Sequence, residues 1–230
     1  MTSKRACSAC GRSAGGFRAG VVSVMVLAAC GGCMDTGGAS FGEEPEEKPA
    51  VTYRGLASQK CAVLVWADGR TRSEYNQVQV DLARAFQDKL MGQMPQDKSG
   101  KPDATAPQFI DPRSVVRYQR EHPETESLPI VEVAPRLGVG RVVYIEVEQL
   151  QVQSPRSILL LKGDAAATLR VVEVAEGKAK IAFEEAGIAA SYPKNAPEGV
   201  VPTDKINERT IYEGTLAALA GKLAARFEGK

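Results

Sequence analysis

The sequence predicts an α+β fold: two α/β layers, with a mixed or mostly antiparallel sheet of about four to five strands and helices packed on one face. Three observations carry this. Cys61–Trp66 (CAVLVW) is a continuous apolar run closed by Ala67-Asp68-Gly69, which reads as a buried strand and a turn. Residues 71–93 place Tyr75, Val78, Leu82, Phe86 and Leu90 on one helical stripe. From Arg141 onward strand alternation takes over, and a second striped segment closes the chain.

The elements follow in order. Thr71 or Ser73 is expected to cap the long helix, with Glu74 completing a capping box from Thr71. Residues 94–107 are polar and read as a surface loop. Asp111-Pro112 is an N-cap and N1 pair for a helix to Glu121, which Pro123 stops. Ile130–Leu137 is a short helical segment interrupted by Pro135 and closed by Gly138. In Arg141–Val152, Val143, Ile145 and Val147 alternate with other residues, whereas Leu150 and Val152 fall out of phase. That slip predicts a bulge at Glu148-Gln149.

Ser157–Leu161 and Ala165–Val174 read as two further strands, and Glu176-Gly177-Lys178 as the turn into an antiparallel return over Ala179–Ser191. Residues 192–202 hold three prolines and form an exposed loop, either a partner-binding element or a passive connector. The terminal helix, Asp204–Phe227, aligns Tyr212, Leu216, Leu219, Leu223 and Phe227, a stripe that suits a core or a dimer seam. The first strand is expected to lie parallel to a neighbour reached through the long helix, and the later strands to form a meander. Trp66 and Tyr144 are expected in the core.

Composition bounds the function. With 43% apolar and 25% charged residues the 230-residue chain is of globular type. A formal net charge of +1 gives no basic field for nucleic acid. No apolar run reaches the roughly 18 residues of a membrane span.

The first residues read as an export address. Lys4, Arg5, Arg12 and Arg18 precede Ala19–Ala29 (AGVVSVMVLAA), an uncharged run too short to span a bilayer. Leu27-Ala28-Ala29-Cys30 resembles the lipobox of bacterial lipoproteins: an aliphatic residue, two small residues and cysteine. That resemblance implies cleavage between Ala29 and Cys30, a diacylglycerol on the Cys30 thiol, and further acylation of the new amine. Two or more acyl chains give stable anchoring, where one is marginal. Gly31 after the cysteine, by analogy with enteric lipoproteins, favours the outer membrane, facing the periplasm. Removing four basic residues leaves 25 against 28 acidic ones, about −3 in net charge.

The predicted organisation is thus a signal peptide over 1–29, a lipidated tether over 30–52 and one domain over 53–230. Residues 31–50 are rich in Gly, Pro and Glu, and as a flexible chain they reach about 25 Å. Cys33 and Cys61 remain after processing. They could pair in an oxidising compartment, but the sequence favours a buried free thiol at Cys61, which opens an apolar strand.

Catalytic templates are not met. Cys7 and Cys10 form a C-x-x-C inside the predicted signal, with no second pair for a metal site. His122, the single histidine, sits at a predicted helix end. Gly138-Val139-Gly140 lacks the rest of a dinucleotide fingerprint. Asp68-Gly69-Arg70 with Arg72 follows the first strand, where α/β ligand sites often lie, although turn chemistry also explains it. Glu146 and Glu148 share one side of a strand and read as a solvated face; Glu184-Glu185 adds no stronger signal. No catalytic residue, metal or cofactor is assigned. The expectation is a non-enzymatic envelope lipoprotein that binds an unidentified envelope protein and no nucleic acid. The alternative is a small-ligand-binding or hydrolytic lipoprotein using acids such as Asp68 and Glu146.

One further resemblance covers roughly residues 60–228. CAVLVWADG leads into a long helix; later, Leu137-Gly138-Val139-Gly140 runs into RVVYIEVEQLQV, a hairpin and a terminal helix. This pattern is similar to the α/β domain of small envelope lipoproteins such as LpoB-type peptidoglycan-synthase activators and the curli-secretion lipoprotein CsgG. It implies assembly, secretion or cell-wall work through protein contacts.

Overall fold

The computed structural model describes residues 52–96 and 103–227. The signal peptide, Cys30 and nearly all of the predicted tether lie outside the described residues. Five strands form one mixed sheet in the order β2-β1-β3-β4-β5. They are β1 Lys60–Ala67, β2 Gln108–Phe109, β3 Arg141–Ser154, β4 Ser157–Ala175 and β5 Lys178–Tyr192. The helices are α1 Gly69–Glu74, α2 Val78–Gln93, α3 Pro112–Glu121, α4 Ile130–Val133 and α5 Glu208–Ala224.

The α+β class and the mixed sheet agree with the expectation. β1 is parallel to both neighbours, β2 reached through α2 and β3 beyond. β3, β4 and β5 form an antiparallel meander. Glu176 and Gly177, both at positive φ, make the two-residue turn between β4 and β5. The bulge is also where the phase slip placed it, between Val147 and Gln149.

The single helical layer needs correction. α2 and α5 cover one face, packing Leu82, Phe86, Leu90, Leu219 and Leu223 on Val63, Val65, Ile145 and Leu169. α3 and α4 cover part of the other face, where Val115 and Val133 meet Ala62, Leu64, Val142 and Val172. A strand apolar at every position from Cys61 to Ala67, as β1 is, must be buried on both faces, as parallel strands are.

Three boundaries also change. The long helix is two, because the chain breaks between Glu74 and Val78, and the first cap is Asp68, which accepts from the Thr71 amide at 2.7 Å. Ser157–Leu161 and Ala165–Val174 are one continuous strand, β4. The terminal helix begins at Glu208, capped by Asn207, and ends at Ala224. Elsewhere the local signals hold. Asp111 caps α3 ahead of Pro112, and Gly138 ends the α4 segment in the left-handed region at φ 64°.

β2 is only two residues long, so it covers little of the outer edge of β1. Side chains replace the missing strand farther along. The Val65 carbonyl accepts from Gln79 Nε2 at 2.9 Å and from Gln119 Nε2 at 3.2 Å. This pairing meets the need of a buried carbonyl for a donor.

Cys61 is a fully buried free thiol, as the apolar run predicted. Burial pushes its pKa up to about 12, against a usual value of 9.0. The folded state therefore holds this proton more tightly than the unfolded chain does. Its contribution to stability is complete below pH 9 and is lost as pH rises toward 12. Iodoacetamide at pH 8 should accordingly leave the Cys61 peptide unmodified in the folded protein and alkylate it in urea, as read by mass spectrometry. Rapid native labelling at Cys61 would contradict its burial.

Candidate functional site

The site grows from one mismatch of strand lengths. β1 pairs with β3 only as far as Ala67 opposite Val147, then turns away through Asp68 into α1. β3 continues for seven further residues, to Ser154, with β4 as its strand partner. Among the described residues no strand faces the outer edge of β3 beyond Val147, and no backbone hydrogen bond joins that edge to another segment.

A cleft of about 820 Å³ occupies the space that β1 leaves. The six consecutive residues Glu148–Gln153 line it, so the strand presents its edge there and not one face. α1 and the start of α2 form one wall, and the first turns of α5 the other. The walls meet in a stack of Tyr75 on Tyr212, with ring centroids 5.1 Å apart and planes 12° from parallel. The break between α1 and α2 puts Tyr75 there, as the C-cap of α1.

The cleft is acidic. Asp68, Glu74, Asp81, Glu148, Glu208 and Glu213 line it against Arg70 and Arg209. Arg209 pairs with Glu213 at 2.8 Å. Neutral hydroxyls hold three others: Tyr75 donates to Glu74 at 2.8 Å, Tyr212 to Asp81 at 3.0 Å, and Thr168 to Glu148. Burial first, and then these carboxylates, push both tyrosine pKa values upward, so the hydroxyls stay protonated donors. The hydrogen bond from the Thr71 amide lowers the Asp68 pKa below its ordinary value.

The residues singled out by sequence divide between this cleft and other surroundings. Asp68 and Arg70 join it, while Arg72 leaves it to chelate Glu126 with both terminal nitrogens. Glu148 lines it, but Glu146 pairs with Arg170 at 2.7 Å on the sheet face. Asp68 and Glu146, the acids of the alternative reading, therefore act in different places. Glu184 also bonds Arg170, and Glu185 binds Arg226 through both carboxylate oxygens. His122 is the C-cap of α3 and bonds exposed Glu124 at 3.1 Å.

Trp66 and Tyr144 are half-buried and not core residues, because α3 and α4 cover only part of their face. The Pro-rich loop is pinned to the β4 arm: Val200 and Leu161 exchange backbone bonds at 2.8 Å, and Glu198 pairs with Arg156. Tyr75, Tyr212 and the 149–153 edge were not assigned to a site from sequence. The predicted bulge was the available signal, since it marks where pairing changes.

No protein-family model matches the chain, and no curated protein is similar to it in sequence. Solved structures show a distant likeness. One is a dodecameric PelC from Paraburkholderia phytofirmans, with 8% identity over 78% of this chain and 93% of that one, at a TM-score of 0.38. A second is described as the lipoprotein GNA1162 of Neisseria meningitidis, with 14% identity over 57% and 80%, at 0.33. A third is a hypothetical protein of Chlamydia trachomatis, with 15% identity over 72% and 97%, at 0.32.

Proposed function

We propose that this protein is a lipid-anchored envelope lipoprotein that works by binding a partner protein, without an enzymatic step. The observation that carries the reading is the coincidence of a charged leader, an eleven-residue apolar run and Leu27-Ala28-Ala29-Cys30. The acidic cleft supports the binding part. Asp68 serves as a helix cap and Glu74 and Asp81 as hydroxyl acceptors, and the Asp68 pKa is lowered, opposite to the raised pKa of a general acid. The outer membrane, facing the periplasm, is the proposed location.

Intact mass and fractionation of the full chain, beside a Cys30→Ala variant, test the anchor. The expected result is a mature chain starting at Cys30 with added acyl mass in the membrane fraction, and an unacylated Cys30→Ala variant. An unmodified full-length chain in the cytosol would sink the reading. Partner binding predicts one discrete crosslinked species in intact cells; a featureless smear would count against it.

A further inference from the structure

We infer that the cleft receives an extended, basic peptide segment, which adds as a strand to the open edge of β3 at Gln149–Gln153. The inference rests on the partner-binding reading and names the chemistry of the partner. Its first support is the edge itself. An uncovered strand presents a row of backbone donors and acceptors, and strand addition is a common way for a partner to use them. β1 already shows that this side of β3 accepts a parallel strand, as far as Val147. The other edge of the same hairpin carries one bridge, in which Val200 pairs with Leu161.

Charge selects the occupant. The lining holds six carboxylates against two guanidinium groups, one of which is spent on Glu213. An acidic strand would be repelled from these walls, and lysine or arginine side chains would be drawn to them. Leu150 and Val152 are buried beneath the edge, so alternate positions of the incoming strand would be aliphatic. Five edge residues span about 17 Å, which admits a segment of five or six residues. The tether of this chain is a poor candidate, since Glu43, Glu44, Glu46 and Glu47 make it acidic.

The test is fluorescence anisotropy on the full chain in nonionic detergent, with a labelled hexapeptide alternating lysine and valine. Saturable binding is expected. A glutamate–valine hexapeptide should bind at least tenfold more weakly. Methylating alternate amides should abolish binding in one of the two possible phases and spare it in the other, which is the mark of a strand edge. The Glu74→Gln, Glu148→Gln, Glu213→Gln triple variant, with unchanged melting, should bind the lysine peptide about tenfold more weakly.

No binding, or binding indifferent to charge sign or to methylation phase, would overturn the inference, as would self-association that the peptide displaces, since a second copy would then own the slot. Failure here leaves the Cys30 acylation result untouched, and failure of acylation leaves the peptide result standing, so the two proposals fail separately.

Discussion

Replacing Gly163 with alanine should cost about 3 kcal/mol of stability and displace α5 from the sheet. Gly163 lies within β4, at a point where α5 crosses it closely. A Cβ there would fall 1.6 Å from Thr215 Oγ1, 2.8 Å from Thr215 Cβ and 3.1 Å from Ile211 Cγ2. Thr215 cannot swing aside freely: it is fully buried, and its hydroxyl donates to the Ile211 carbonyl at 2.6 Å. Either the helix lifts or the strand bends, and both disturb a close-packed core.

A double-mutant cycle separates this contact from a general weakness of β4. Thr215→Ala removes the oxygen at 1.6 Å but leaves its Cβ at 2.8 Å, so it should rescue Gly163→Ala in part. Urea denaturation should then give a coupling of about 1 kcal/mol or more. Strict additivity would show that the cost has another source. The consequence reaches the cleft, because Thr215 is one turn from Tyr212 and the α5 wall. Peptide affinity should fall with stability in Gly163→Ala and recover with it in the double variant.

The same glycine shows how much of the fold was legible in the sequence. The sequence reads Ser157–Leu161 and Ala165–Val174 as two strands, yet Gly163 lies inside one strand and makes room for a helix that crosses it, a tertiary requirement. The helix break at Tyr75–Gln77 was hidden because Tyr75 and Val78 keep helical phase across it. Signals that depend on a few neighbours gave the right local structure: Asp111-Pro112, the Glu148 bulge, the Glu176-Gly177 turn and the buried Cys61.

The candidate site was legible only in fragments. Asp68 and Arg70 were singled out by their position after a strand, and Glu148 by its alternation. The cleft itself depends on β1 being shorter than β3 on their shared edge. No local pattern encodes such a difference between two strands some eighty residues apart. The amides of Gln79 and Gln119 were hidden for the same reason, since each is defined by the Val65 carbonyl it finds in the fold.

Phe86→Ala should be the most destabilising of the core truncations, at about 4 kcal/mol. Phe86 is fully buried on α2 and meets the ring of Phe227 edge-on, with centroids 5.6 Å apart. Phe227 in turn meets Tyr53 at 6.2 Å, and Tyr53 meets Phe183 of β5 at 6.3 Å. This line of rings ties α2, the residues after α5 and the start of the domain to the sheet. The backbone continues the tie, with the Tyr53 amide donating to the Arg226 carbonyl at 2.8 Å. Tyr53 Oη also donates to Glu173 at 2.9 Å and accepts from Arg141 Nε at 3.1 Å.

Truncation at Phe86 opens a cavity at the head of that line, beyond the lost transfer energy of the ring. Phe86→Leu keeps most of the volume and should cost no more than about 1.5 kcal/mol. Both values are read from urea unfolding of the full chain. Hydrogen exchange supplies the second readout: the Tyr53 amide should lose protection in Phe86→Ala and keep most of it in Phe86→Leu. A loss under about 1.5 kcal/mol in Phe86→Ala would mean that the rings collapse into the gap and that the line is softer than its geometry implies. A full loss without added exchange at Tyr53 would mean that the polar contacts with Glu173 and Arg141 hold the start of the domain by themselves. In that second case the position of Tyr53 would be set by hydrogen bonds and charge and not by the rings.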